Sequence, residues 1–330
     1  MKQKHNIGSM LFWIYALLFG LSANADVYSF PDRDLHVTLG IQKQEYSVQL
    51  RDDKSSQDLY YKPNIGSVLI PRISYKDLWG LSWGFNTPVS EGDEYLNGKT
   101  SFTDVRFDFS FHNFTVSSYY SQYRGMYLAN STAVNPLLTA NDPNIQRPDM
   151  YSRASGVSFT WVWDPETFSL PNLYNQAERQ EKRGGSILFG GAISENVLTA
   201  DSSFIPASIQ NDFDLLASMR GARFQTLSLK GGYGYAFAKK WFIGGAVMVG
   251  PGVARRKFEY DNQSESEGWE PTGFGELLLS GGYNGDLFFT SLKIDFRQDF
   301  FVLTGSSSQI NPQLAAVAFN LGLHLETLNF

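Results

Sequence analysis

Apolar and polar residues alternate along most of this chain with a period of two. The cleanest run is Val317, Phe319, Leu321, Leu323 and Leu325, alternating with Ala318, Asn320, Gly322, His324 and Glu326. Period two places successive side chains on opposite faces of a strand. Each such run therefore predicts a strand with one apolar and one polar face. Leu328 and Phe330 fall out of parity with this run, which predicts a bulge near Glu326-Thr327.

The same rhythm recurs from residue 34 onward. The first strand carries Leu35, Val37, Leu39 and Ile41 on one face. It continues through Tyr46, Val48 and Leu50 after a slip of parity that predicts a bulge. Residues 51–62 read as a polar loop. A second strand at about 65–75 turns at Lys76-Asp77-Leu78 into a third, where Trp79, Leu81, Trp83 and Phe85 oppose Gly80, Ser82, Gly84 and Asn86. After a polar loop at 87–99, a fourth strand sets Val105, Phe107, Phe109 and Phe111 against Arg106, Asp108, Ser110 and His112. A tight turn at Asn113 leads to a fifth strand, 114–128. Residues 129–149, with Pro136, Pro143 and Pro148, read as a long loop. Val157, Phe159, Trp161 and Trp163 mark a sixth strand, ending at Asp164-Pro165.

Residues 166–185 fit no template. Their highly polar part, 175–183, suits helix, loop or an inward-folded strand equally. Alternation resumes with Ile187, Phe189, Gly191 and Ile193, and 199–219 reads as loop. Leu227, Leu229, Tyr233, Tyr235 and Phe237 turn at Lys239-Lys240 into Trp241, Ile243, Val247, Val249 and Val253. Residues 261–268 form a polar loop. Leu277, Leu279 and Tyr283 run into Asn284-Gly285, a strong hairpin signal. Phe288, Leu292, Ile294 and Phe296 return, opposed by Ser291, Lys293, Asp295 and Arg297. Residues 305–312 form the last loop.

The connections at Asp77, Asn113, Lys239 and Asn284 are very short and alternate with longer polar ones. Transmembrane β-barrels show this asymmetry between their two ends. The predicted fold is all-β: a transmembrane antiparallel β-barrel of about twelve strands, with short periplasmic turns, longer outer loops and both termini periplasmic. A hidden hairpin in 166–185 would make the count fourteen. The alternative is a soluble sandwich or lipocalin-like barrel, with the apolar faces inward and the charges in water. No repeat beyond the hairpin rhythm and no separate soluble domain is evident.

The N-terminal end fits export. Lys2 and Lys4 precede a short apolar run at 10–21 and the small-x-small site Ala23-Asn24-Ala25. This pattern predicts a signal peptide over 1–25 and a barrel over 26–330. No later segment approaches the roughly 18 consecutive apolar residues of a membrane helix. The chain has no Cys, and 27 basic against 33 acidic residues give a net charge of −6. That balance argues against nucleic-acid binding, which needs a basic stripe. Aromatic residues at 15% and 30 Gly in 330 suit aromatic girdles and crowded small residues.

With lipid outside, the polar faces point into the lumen. Arg106, Asp108 and His112, with Lys293, Asp295 and Arg297, are the predicted lumen charges. They suit either a charged constriction that selects solutes or a salt-bridged filling, since unpaired buried charge is costly. Past the leader the histidines are His36, His112 and His324, and none sits in a His-x-Ser pair. There is no H-E-x-x-H zinc motif and no P-loop. Glu265 and Glu267 have no EF-hand spacing and suit, at most, weak Ca²⁺ binding. No catalytic residue, metal site or cofactor is expected.

Two resemblances add to this. An amphipathic strand near a terminal aromatic residue, here Phe330, resembles the closing strand of bacterial outer-membrane barrels, where it is the sorting signal for the barrel-assembly machinery. Further motifs occur in a fixed order. Pro63-Asn64 precedes Ser74-Tyr75-Lys76, then comes Tyr123-Arg124-Gly125. Phe168-Ser169 precedes Glu178-Arg179-Gln180, and Asp201-Ser202-Ser203 leads to Ile205-Pro206. In these stretches the chain resembles an uncharacterised domain-of-unknown-function family of predicted outer-membrane barrels in Gram-negative bacteria.

The resemblance implies a barrel in contact with outer-membrane lipid and lipopolysaccharide, and no assigned activity. Gly125 suits a bulge or close strand approach, and 202–206 suits a structured loop folded over the mouth. The expected function is a channel for small solutes. The alternatives are a barrel that displays its loops to a partner and, further off, a lipid-modifying enzyme built around His112 or His324.

Overall fold

Strands that are apolar on one face and polar on the other can hide their edges by closing into a ring, and with lipid outside that ring their apolar faces are covered as well. The computed structural model describes residues 27–29, 33–52, 54–55, 57–76, 78–139, 141–214, 216–237, 239–261, 264–301 and 309–326, and it forms such a ring. Its strands are β1 (Val27–Ser29), β2 (Leu35–Arg51), β3 (Leu59–Lys62), β4 (Val68–Tyr75), β5 (Trp79–Asn86), β6 (Ser101–Phe111), β7 (Phe114–Leu128), β8 (Ile145–Val162), β9 (Glu178–Gln180), β10 (Gly184–Thr199), β11 (Met219–Phe237), β12 (Trp241–Tyr260), β13 (Glu265–Asn284), β14 (Phe288–Phe301) and β15 (Gln309–Leu325). The helices are α1 (Glu91–Asn97), α2 (Ser131–Val134) and α3 (Leu170–Tyr174).

Twelve strands are the staves: β2, β4 to β8, and β10 to β15. All pairings are antiparallel. The ring closes between β15 and β2, in unbroken register from Gln309↔Arg51 to Leu325↔Leu35. The extra strand β3 explains an irregularity of the wall. β4 and β5 have only 8 residues each, so they and β6 stop short while β2 and β7 continue. Above them β3 bridges the gap, pairing Tyr61 with Val48 of β2 and with Leu128 of β7. The wall is thus twelve-stranded at its short-turn end and ten-stranded at its long-loop end.

Outward positions carry the apolar residues, with Leu39 52%, Ile243 64% and Leu229 69% exposed. The inward neighbours His36, Gln42 and Ser228 are buried. This overturns the soluble alternative, because an apolar belt of this size facing water has no partner to cover it.

The expected bulge in the first strand is absent. Even-numbered residues of β2 face inward without interruption. What changes along the strand is polarity. Inside, Thr38, Gln42 and Gln44 give way to Tyr46, Val48 and Leu50; outside, Leu39 and Ile41 give way to Lys43 and Glu45. β11 inverts likewise, with Leu227 and Leu229 outward in the belt, Arg223 and Gln225 outward above it, and Ala222 and Phe224 inward above it. The sequence pattern lost phase because the solvent outside changes from lipid to water, so the strands outrun their predicted ends. β12 reaches Tyr260, β13 begins at Glu265 inside the expected 261–268 loop, and β8 begins at Ile145 inside the expected 129–149 loop.

The inward apolar tier is filled by the connection from β10 to β11. Phe204, Ile205, Phe213 and Leu216 of this lid pack on Tyr46, Val48, Leu50, Tyr61 and Met150. Arg147 of β8 fixes it, donating to the Ser203 carbonyl at 2.8 Å while pairing with Asp149 at 2.8 Å. The Asp201 to Pro206 motif is therefore the lid.

Residues 166–185 hold no further hairpin of the wall, so the count is twelve and not fourteen. They form a plug at the short-turn end. Ser169 caps α3, its Oγ accepting from Asn172 N at 2.9 Å. β9 pairs with β1 instead of joining the wall. Phe168 lies on Gly234 of β11, where a Cβ would come within 2.3 Å of the ring. Gly125 sits at φ +86° in a bulge between Arg124 and Met126, against the Lys99 carbonyl. The leader expected over 1–25 lies outside the described residues, and so does the chain from Thr327 onward, where the expected bulge near Glu326-Thr327 would fall.

Candidate functional site in the lumen

Between plug and lid lies a cavity of about 160 Å³. Its wall residues come from inward positions of neighbouring staves, as strict alternation requires. β6 supplies Asp104, Arg106 and Asp108, β4 supplies Arg72, and β14 supplies Lys293, Asp295 and Arg297. The plug contributes Tyr174, Asn175 and Gln176. Tyr46 and Tyr123, stacked with centroids 4.4 Å apart, contribute from the lid side.

The charges are largely paired. Arg72 Nη1 donates to Asp108 Oδ2 at 2.7 Å across β5. Arg106 Nε donates to Asp104 Oδ1 at 2.9 Å on its own strand. Arg297 Nη2 lies 3.3 Å from Glu276 Oε1, Lys230 Nζ lies 3.4 Å from Glu276 Oε2, and Arg297 also covers the Tyr119 ring at 5.0 Å. Tyr174 OH of the plug donates to the same Glu276 at 2.8 Å. Lys293 Nζ lies 5.9 Å over the Tyr174 ring. Among the described residues, neither Lys293 nor Asp295 forms a hydrogen bond or an ion pair.

Five of the six lumen charges expected from sequence, Arg106, Asp108, Lys293, Asp295 and Arg297, line this one cavity. His112 does not. It sits beyond β6 in the turn to β7, exposed, with φ 55°. Its parity fitted the strand, but the backbone reverses there. Sequence reasoning missed Arg72, Asp104, Lys230 and Glu276. The inward parity of Arg72 and Asp104 was readable. Lys230 lies inside the run from Leu227 to Phe237, where its inward parity was readable too, and Glu276 lies one residue before Leu277, where the alternation of its strand was picked up.

A second polar knot anchors the plug. His36 Nδ1 and His324 Nδ1 approach to 2.6 Å, and His324 Nε2 lies 3.0 Å from Asn284 Oδ1. Asn284 Nδ2 donates to the Glu178 carbonyl at 2.8 Å. Arg179 reaches Asp286 at 2.6 Å, and Lys240 reaches the same carboxylate at 3.0 Å. Hydrogen bonds from Arg179 and Lys240 lower the Asp286 carboxyl to about 2. The Glu178-Arg179-Gln180 motif is thus the plug's attachment. Glu265 is paired with Lys257 at 2.8 Å, and Glu267 with Arg255. Among the described residues, no group of three His, Cys, Asp or Glu is placed to hold a metal.

These features define a closed twelve-stranded barrel with a lipid-facing belt, whose lumen is occupied from both ends and charged in between. The chain belongs to the family described as a domain of unknown function (DUF4421), which matches residues 28–322. No curated protein matches it in sequence. Among solved structures it is similar to the outer membrane protease OmpT from Escherichia coli, at 8% identity, 89% of this chain, 96% of that chain and a TM-score of 0.38. It is also similar to the toluene transporter TodX of P. putida, at 9% identity, 89% of this chain, 91% of that chain and a TM-score of 0.30. Identities and scores this low carry no chemistry across.

Proposed function

We propose that this protein resides in the bacterial outer membrane and admits a small solute to its lumen, with the plug and lid closing it at rest. The outward apolar belt, the closed ring and the short-turn and long-loop ends support that location. The observation that carries the function is the cavity of about 160 Å³ between two separate closures, lined by charges of both signs. Lys293 and Asp295, half-buried on this wall, keep their polar atoms open to that space and able to meet a solute. No catalytic step enters this reading.

The test is conductance in a planar bilayer. The intact protein is expected to pass little current. A variant in which linkers replace both 166–183 and 201–217 is expected to conduct. A variant that folds, judged by heat-dependent gel mobility, and still passes no current at any voltage overturns the passage reading. The closed lumen favours a second reading in that event: a barrel that presents loops such as 129–144 to a partner.

A further inference from the structure

The cavity wall contains one cation and one anion whose polar atoms make no direct hydrogen bond or ion pair within the protein, although each lies in the field of the other and Asp295 also lies in that of Arg106 and Arg297. Lys293 and Asp295 are two residues apart on β14 and point to the same side, so their Cα atoms are about 7 Å apart. Their neighbours are already engaged: Arg72 with Asp108, and Arg106 with Asp104. Lys293 rests over the Tyr174 ring, and no hydrogen bond or ion pair reaches either charge among the described residues. Pockets for drug-sized ligands run to roughly 300–1,000 Å³, so about 160 Å³ selects something smaller.

From this we infer that the cavity binds a short zwitterion, of amino-acid or dipeptide size, with its carboxylate on Lys293 and its ammonium on Asp295. A simple anion would satisfy Lys293 and bring a second negative charge beside Asp295. A simple cation would do the reverse. Only a ligand carrying both charges completes both residues at once. The inference rests on the lumen being a solute compartment.

Calorimetric titration of the full-length barrel in detergent tests it with three matched probes: glycylglycine, N-acetylglycylglycine and glycylglycinamide. Glycylglycine is expected to bind, and each blocked form to bind about tenfold or more weakly, as loss of one charged hydrogen bond implies. Lys293→Met and Asp295→Asn are each expected to weaken glycylglycine by a similar factor. Equal binding of a blocked probe, or no binding of any probe, overturns the inference. The three-probe comparison on the unaltered protein stands even if a variant does not fold. Binding is read without current, so a barrel that binds but does not conduct defeats only the passage reading. A barrel that conducts but ignores the probes defeats only the zwitterion.

Discussion

Asp286 carries a large share of the plug's attachment for a single side chain. Arg179 comes from the plug and Lys240 from a neighbouring turn, and both bond the one carboxylate. Its folded value near 2 lies below the ordinary carboxylate value. A lowered carboxyl value stabilises the attached state fully above the ordinary value, and that stabilisation is lost as pH falls through the folded one. Protection of the amides at residues 178–180, taken relative to their unstructured exchange rate, should therefore be constant above about pH 4 and fall towards pH 2. Asp286→Asn should exchange faster at neutral pH and lose this acid dependence. The group is half exposed, so the effect is expected to be local to the plug, with the barrel unchanged.

At the scale of elements, plug and lid dock by different means. The plug's apolar hold is Phe168, seated on Gly234 among Leu170, Leu173 and Leu188. Phe168→Ala should remove about 3–5 kcal/mol of packing. Faster exchange across α3, with unchanged exchange in β11, is the expected signature. Gly234→Leu should act in the same direction from the wall side.

The staves were legible in sequence wherever lipid lies outside, because one face must then stay apolar throughout. Val105 to Phe111 and Val317 to Leu325 were read correctly for that reason. Above the belt the rule inverts, so Tyr46, Val48 and Leu50 looked like a slip in the chain when only the surroundings had changed. Plug and lid were illegible for a different reason. Short polar segments such as 175–183 have no fold of their own, and contacts with Asn284, Ser291 and Glu276 decide their shape. Their motifs stood out in sequence, but their purpose could not be read from it.

The whole molecule is one closed hydrogen-bonded ring, and closure leaves no edge from which to unzip. Unboiled protein should run at a different gel mobility from boiled protein, and Phe168→Ala should preserve this difference while the plug exchanges freely. Loss of the mobility difference in that variant would mean that the plug holds the wall together instead of merely filling it.

The change from twelve staves to ten has a consequence of its own. Barrel diameter grows roughly linearly with strand number, so the upper collar is about five-sixths as wide as the belt beneath it. The molecule is shaped like a bottle, with its neck at the long-loop end. A neck takes a smaller stopper than a body, and this accounts for how one short segment can seal that end. The stopper buries Phe204, Ile205, Phe213 and Leu216, with Ile209 and Ala217 beside them, in one cluster with wall residues of β2, β3, β7, β8, β11 and β12. The three abbreviated staves that make the wall look irregular are what bring it within their reach.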